Sequence, residues 1–276
     1  MTVVVLTGAT RGIGRAAAIE LARRGAEVVL VGRDPERVRL VAEEATTAGG
    51  GGRVHGHVCD LSLMSNVRVL ADEIRGHHEH VDVLANNAGA LFASRKETSE
   101  GLEQTFALNH LAPFLLTNLL RDRLAGGRVV TTASGAHRSG RLDLDDLQSE
   151  KSYSPRVYGT SKLCNILFTR ELARRAPEID ANCFHPGVVR TGFAKNENGI
   201  WKVIATLGAP FLRSPERGAH SLVWLALSDD AAALTGKYIE DEQVVAPSDQ
   251  AQDDNLARSL WAQSAQLVSL PADARA

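Results

Sequence analysis

Tyr158-Gly159-Thr160-Ser161-Lys162 puts a phenol and an ammonium four residues apart in a stretch whose pattern predicts a helix over 155–176. Side chains at i and i+4 share a helix face, so both groups project to the same side. A cation beside a phenol favours the phenolate and would draw its pKa below the usual value of about 10. Such a tyrosine can give a proton to a carbonyl oxygen or take one from an alcohol. Taken alone, the pair reads better as a half-buried tyrosine beside a surface lysine. Two more residues weigh for chemistry. Ser134 ends the run Arg128-Val129-Val130-Thr131-Thr132-Ala133, a predicted strand, and open α/β sheets bind ligands at that end. Its hydroxyl can hydrogen-bond a substrate oxygen as charge develops there. Asn109 falls in a long helix expected over 100–124, with Pro113 four residues on, so a local irregularity is expected. Its amide could hold a water that links Lys162 to solvent.

A second constellation is Thr7-Gly8-Ala9-Thr10-Arg11-Gly12-Ile13-Gly14, between the first predicted strand and the first predicted helix. Helix N-terminal N–H groups lack partners and carry partial positive charge, which suits a pyrophosphate. Glycines let the backbone turn sharply and approach the phosphates. The second strand ends at Gly32-Arg33-Asp34. An acidic residue there would bond the ribose 2′-OH of NAD, whereas Arg suits the 2′-phosphate of NADP. Arg11 and Arg33 could fork onto such a phosphate, or simply be solvated, and Asp34 keeps NAD(H) open. Asp60, with Leu61 beside it, closes the third strand and could accept from the adenine amino group. Asn86-Asn87-Ala88-Gly89 closes the fourth and would pass beneath a dinucleotide with little bulk; both segments also fit ordinary strand-to-loop turns.

The elements that would position these groups alternate. Strands are expected at 3–7, 27–32, 53–59, 81–86, 128–134, 179–185 and 236–240, and helices at 13–24, 35–48, 64–76, 100–124, 155–176 and 215–227. Residues 135–154 read as loop, and 194–212 resist assignment. The strands are continuous apolar runs, as strands buried on both faces must be. Such alternation gives a parallel sheet with helices on both faces. The expected fold is therefore α/β, a single Rossmann-type doubly wound domain over residues 1–276.

The composition, 44% hydrophobic and 23% charged over 276 residues, is that of a globular chain. With a formal net charge of −2 and no basic face, nucleic acid is not expected as a partner. Cys59, Cys164 and Cys183 are odd in number and widely spaced, so neither a disulfide framework nor a zinc site is expected. No apolar run approaches the roughly 20 residues of a membrane span, and the short run at 3–6 reads as a strand rather than a leader. Free thiols and the absence of a leader point to the cytoplasm.

With these motifs in this order, the chain resembles the short-chain dehydrogenase/reductase family. Thr7–Gly14 is similar to its cofactor turn, Asn86–Gly89 to its NNAG element, and Asn109, Ser134, Tyr158 and Lys162 to its catalytic tetrad. Pro186, Gly187, Val189 and Thr191 match its nicotinamide-side loop. The stretches 109–117, 161–170 and 185–191, with Leu260-Trp261, resemble its retinol dehydrogenase-like branch, which includes the oxidoreductase domain of WW-domain oxidoreductases. The resemblance implies NADP(H), a small-molecule alcohol or carbonyl substrate, Tyr158 as proton carrier, Lys162 on the ribose, and a possible homo-oligomer. Membrane-bound members carry an apolar anchor before the first strand; this chain starts at that strand, so a retinoid substrate is not implied. A non-catalytic NADP(H)-binding or scaffold protein on the same fold is the alternative. Among weaker signals, His77-His78-Glu79-His80 reads as a solvated turn rather than a metal site. His110 and His137 fit packing or substrate contact. The apolar residues Trp201, Val203, Ile204, Leu207, Phe211 and Leu212 fit a core helix, a substrate lid or a membrane-touching patch.

Overall fold

Runs of branched apolar residues without polar alternation become the middle of one sheet, because only there are both faces covered. A computed structural model of the chain describes residues 1–154, 156–189 and 213–271. Its strands are β1 (Val3–Thr7), β2 (Glu27–Gly32), β3 (Val54–Val58), β4 (Val83–Asn86), β5 (Arg128–Thr132), β6 (Asp180–His185), β7 (Lys237–Glu240) and β8 (Gln243–Val244). They form an eight-stranded sheet in the order β3-β2-β1-β4-β5-β6-β7-β8, parallel except where β8 pairs antiparallel with β7. The order reverses between β1 and β4, and a crevice at such a switch point is where doubly wound sheets bind ligands.

The helices are α1 (Gly12–Arg23), α2 (Pro35–Ala48), α3 (Met64–His77), α4 (Gln104–Phe106), α5 (Ala112–Leu119), α6 (Arg156–Arg175), α7 (Pro215–Leu227) and α8 (Asp254–Leu267). One apolar layer joins the sheet to α1, α2 and α7 through Ala17, Leu21, Val38 and Leu222. The other joins it to α3, α5, α6 and α8 through Leu70, Leu115, Leu167 and Leu260. The doubly wound architecture is thus present. β3 is one edge strand, and its Val-His-Gly-His-Val sequence is correspondingly half exposed.

Two departures from the sequence reading bear on function. The helix expected over 100–124 starts at α4 and passes through a π-helical turn, Ala107–Leu111, before continuing as α5. Pro113 has no N–H to give the carbonyl of Asn109, so the α ladder fails there and Ala112 N–H reaches Ala107 O instead. Secondly, β8 and α8 extend the chain beyond the expected last strand. The signals for α8 lie in the sequence: Asp253 caps it by accepting from Asn255 and Leu256 N–H, and Ala257, Leu260, Trp261, Ser264 and Ala265 make one buried face. All three cysteines are buried and unpaired. Among the described residues no helix is long and apolar enough to cross a membrane.

Candidate active site

At the C-terminal edge of β1 the chain turns through Gly8 (φ 65°) and Gly12 (φ 51°), left-handed conformations that favour glycine. A Cβ on Gly8 would lie 2.7 Å from Ala88 Cα, and one on Gly14 would collide with Gly8 O. The loop after β4 is fastened to this turn. Thr7 Oγ1 accepts from Asn87 N at 2.9 Å and Ala88 N at 3.0 Å, and Asn87 Nδ2 donates to Thr7 O at 3.0 Å. α1 has no side-chain N-cap and no acidic residue in its first turn. Its leading N–H groups, Gly12 and Ile13 among them, therefore face the crevice without a side-chain acceptor, and the glycines leave room for a pyrophosphate against them. A dinucleotide fits this cradle.

At the end of β2, Thr10 packs against Gly32, where any Cβ would strike its methyl group. Arg11 and Arg33 are exposed, and among the described residues neither has an ion-pair or side-chain hydrogen-bond partner. Asp34 is occupied elsewhere. It caps α2 by accepting from Arg37 N–H at 3.2 Å and pairs with the Arg37 guanidinium at 3.0 Å, which hold its carboxyl below the usual range. Asp60 accepts from Ser62 N–H at 3.0 Å and Ser62 O–H at 2.7 Å, with Leu61 buried beside it.

The Y-x3-K pair lies in the first two turns of α6. Lys162 is 2% exposed and donates to Thr132 O at 2.9 Å, with its Nζ 5.7 Å from the centre of the Tyr158 ring. Burial pushes the ammonium pKa down to about 8. Burial likewise pushes the Tyr158 phenol up to about 12, opposed by a hydrogen bond with Ser134. The depression expected from Lys162 is not what sets the phenol: desolvation dominates and disfavours both charged forms. Ser134 follows β5 in extended conformation, and its Oγ accepts from Ala136 N–H at 3.2 Å. Asn109 is fully buried in the π turn. Its Oδ1 accepts from Ala90 N–H at 2.8 Å, and its Nδ2 donates to Ala90 O and Ser161 Oγ, each at 2.9 Å. A Cβ on Gly89 would lie 3.2 Å from Asn109 Oδ1 and 3.3 Å from Lys162 Nζ, so the NNAG loop, Asn109 and Lys162 meet at one point.

The short chain dehydrogenase family profile matches residues 2–199. This chain belongs to that family. It is 46% identical over 270 residues to a Streptomyces sp. (strain C5) protein provisionally named daunorubicin C-13 ketoreductase DnrU, covering 96% of this chain and 92% of the relative. It is 39% identical to human retinol dehydrogenase 13, covering 98% and 85% of the two chains. A crystal structure of an uncharacterized protein from Mycobacterium paratuberculosis superposes with a TM-score of 0.81 at 35% identity, covering 98% of this chain and 94% of that one. The relatives bear out the retinol dehydrogenase-like branch of the short chain dehydrogenases.

In this short chain dehydrogenase the loop after β6 faces the same crevice. Gly187 has φ 79°, and the Arg213 side chain lies directly on it, where a Cβ would be 2.5 Å from Arg213 Cδ. Arg213 N–H donates to Val188 O at 2.8 Å, Val189 bridges Arg213, and the Arg213 guanidinium pairs with Asp241. Val189 and Ile13 both press on Gly218 of α7, so this loop and the glycine turn share a neighbour. Pro186 is half buried. Thr191 and the apolar residues of 194–212 lie outside the described residues.

Of the weaker signals, the 77–80 run is a largely exposed turn at the end of α3, as expected, and His110 and His137 resolve into packing. His77 Nδ1 contacts Glu73 O at 2.8 Å, His78 Nδ1 lies 4.0 Å from Glu27 and His80 Nε2 3.3 Å from Asp82, three separate partners. His110 is buried against Phe106 and Ser264, and burial pushes its pKa down to about 3. His137 is fully buried under Ser134. Thr7, Ser161 and Arg213 hold the site together; Thr7 and Ser161 lie inside the glycine-turn and Y-x3-K motifs, but their roles are not legible there, because each of the three acts on a residue 25 or more positions away.

Proposed function

We propose that the chain, folded as one domain, interconverts an alcohol and a carbonyl on a small apolar molecule, using NADP(H), with Tyr158 as the proton carrier. The observation that carries this reading is the buried ammonium of Lys162, its Nζ 5.7 Å from the centre of the Tyr158 ring and meeting Asn109 at Gly89, with Ser134 near enough to lower the phenol pKa. Two hydroxyls then converge where a substrate oxygen would sit. The raised phenol pKa keeps Tyr158 protonated at neutral pH, the state that reduction needs. Ser134 receives Ala136 N–H on its oxygen, which leaves its own proton to give to the substrate oxygen or to the phenolate. Lys162 faces the crevice beside Gly89, where a ribose would lie, and resupplies the positive field when Tyr158 loses its proton. With its amide held by Ala90 and Ser161, Asn109 offers the main-chain carbonyl that Pro113 leaves without an α-helical donor as the place for a relay water.

When bound, the dinucleotide supplies or takes the hydride, chemistry that is its own. Gly8, Gly12, Ile13 and Gly14 would hold the pyrophosphate, Asp60 and Leu61 the adenine side, and Gly187 and Val189, with Thr191, the nicotinamide side. Preference for NADP(H) over NAD(H) is supported by two exposed guanidinium groups, Arg11 and Arg33, and by Asp34 being turned to α2. The names of the relatives, a ketoreductase and a retinol dehydrogenase, favour a hydrophobic ketone, aldehyde or alcohol as substrate. A cytoplasmic location and a homo-oligomer belong to the same proposal. A panel of apolar ketones and aldehydes followed by loss of NADPH absorbance tests it, with titrations of NADPH and NADH alongside. Turnover with NADPH and tighter NADPH binding are expected. Equal or tighter NADH binding ends the NADP(H) assignment, and NADPH binding without turnover of any carbonyl or alcohol points to the non-catalytic alternative.

A further inference from the structure

We propose that His137 is a positioning residue that fixes Ser134 at the reacting oxygen, as a neutral imidazole with its proton locked on Nδ1. The proposal rests on the reading of Ser134 given above. His137 Nδ1 lies 2.7 Å from Ser134 O. A carbonyl only accepts, so Nδ1 carries the proton. Ser248 N lies 3.1 Å from His137 Nε2. A main-chain N–H only donates, so Nε2 is bare. Two backbone partners of opposite kind therefore dictate one tautomer, and a second ring proton would point at the Ser248 N–H.

The same carbonyl also receives the His137 main-chain N–H at 3.1 Å. One residue thus places two donors on Ser134 O and pins the peptide plane from which the Ser134 side chain rises. Rotation of that plane would carry Oγ away from Tyr158. The ring itself cannot swing. It is fully buried and meets Tyr238 edge-on at 5.0 Å, and Tyr238 in turn donates to Glu240 at 2.7 Å. Burial holds His137 below the usual imidazole range; Ser134 O and the Glu240 carboxylate oppose that and Arg138 adds to it. Among the described residues His185 also faces it. Beyond the ring lies the segment 245–252. Besides Ser248, it takes Arg138 Nη2 on Ala246 O at 3.1 Å and Leu142 N–H on Gln250 Oε1 at 3.3 Å. The chain after β8 thereby straps the serine turn, and His137 is the point where strap and serine join.

Three substitutions separate the arms. His137→Asn puts an amide N–H where Nδ1 stands and keeps the Ser134 arm. His137→Gln puts a carbonyl oxygen where Nε2 stands and keeps the Ser248 arm. His137→Phe keeps the ring volume and neither arm. With an accepted carbonyl substrate, kcat should fall little in the Asn variant and about tenfold or more in the Gln and Phe variants, because a misplaced serine loses transition-state contact. NADPH affinity should stay unchanged in all three. Gln matching or exceeding Asn, or all three keeping wild-type kcat, overturns the proposal in favour of simple strapping. Tyr158→Phe runs beside them: if it keeps full kcat, the functional reading falls with everything on it, whereas an impaired Tyr158→Phe with Gln equal to Asn removes His137 alone. Nitrogen-15 NMR of the wild-type imidazoles is independent of folding in the variants. Expected at neutral pH is an Nδ1-protonated neutral His137 with Nε2 bare, and an Nε2–H tautomer or a doubly protonated ring overturns the assignment.

Discussion

The glycine turn after β1 and the serine turn after β5 sit on the same edge of the same sheet but are held by different means. The glycine turn is shaped by main chain: Gly8 and Gly12 with left-handed φ, Gly14 against Gly8 O, and an uncapped helix start. The serine turn is shaped by side chains: His137 three residues on, anchored to the distant Ser248 main chain, and from further away the Tyr158 phenol and Lys162 through Thr132. A backbone cradle is specified by short local spacing and tolerates change around it. A side-chain cluster is specified by packing, and each of its members can be removed singly with a distinct effect.

The sharpest test of that contrast is on the serine side. Tyr158→Phe keeps the ring but removes the transferable proton, and kcat should drop by about 10²–10⁴, with NADPH affinity and melting temperature nearly intact. Lys162→Ala should lose turnover and NADPH affinity together; steady-state kinetics and NADPH titration of both variants check this. On the glycine side the pattern should invert. Gly14→Ala forces a methyl group into Gly8 O and Asn87 Nδ2, and overpacking of this kind costs about 1–3 kcal/mol. NADPH binding should weaken by roughly ten- to a hundredfold, and any fall in kcat should vanish at saturating NADPH. An unchanged NADPH affinity would mean that the cradle lies elsewhere.

Arg33→Ala asks for a smaller, selective change. A charge-assisted hydrogen bond contributes about 1.5–3 kcal/mol, so NADPH affinity should fall while NADH affinity stays the same. Equal losses for both dinucleotides would remove Arg33 from the 2′-phosphate. A separate effect, outside the site chemistry, is in acid stability. His110 is neutral in the fold, with a pKa near 3 set by burial, and takes up a proton on unfolding below its usual value of about 6.5. The unfolded chain binds more protons in that window, so stability should fall as pH drops from about 6.5 towards 3, by up to about 1.4 kcal/mol per unit. Thermal melts against pH should show that slope reduced in His110→Leu; an identical slope would place the proton uptake on other groups.

The pH behaviour, the partners of Asn109 and the setting of Ser134 differ in how far the chain alone discloses them. Alternating apolar runs and helical stretches, the glycines at 8, 12 and 14, and the four-residue step from Tyr158 to Lys162 depend on local geometry, so the doubly wound sheet and the identity of the chemical groups are legible in one dimension. The irregularity at Asn109 is legible too, since Pro113 lacks the N–H that an α ladder needs. Asp34 is only half legible: Asp before Pro35 suits a helix cap, the same carboxylate suits a ribose, and its bond to Arg37 is what separates the two. The remainder is tertiary. Whether Lys162 or desolvation governs the Tyr158 phenol depends on how deeply both are packed. That Asn109 holds Ala90 rather than offering its amide, and that His137 joins Ser134 to Ser248 across more than 100 positions, depends on segments brought together only by folding. Spacing along a chain fixes which groups share a face, but hydrogen bonds and pKa values answer to neighbours in space, and those neighbours come from the packed sheet edge.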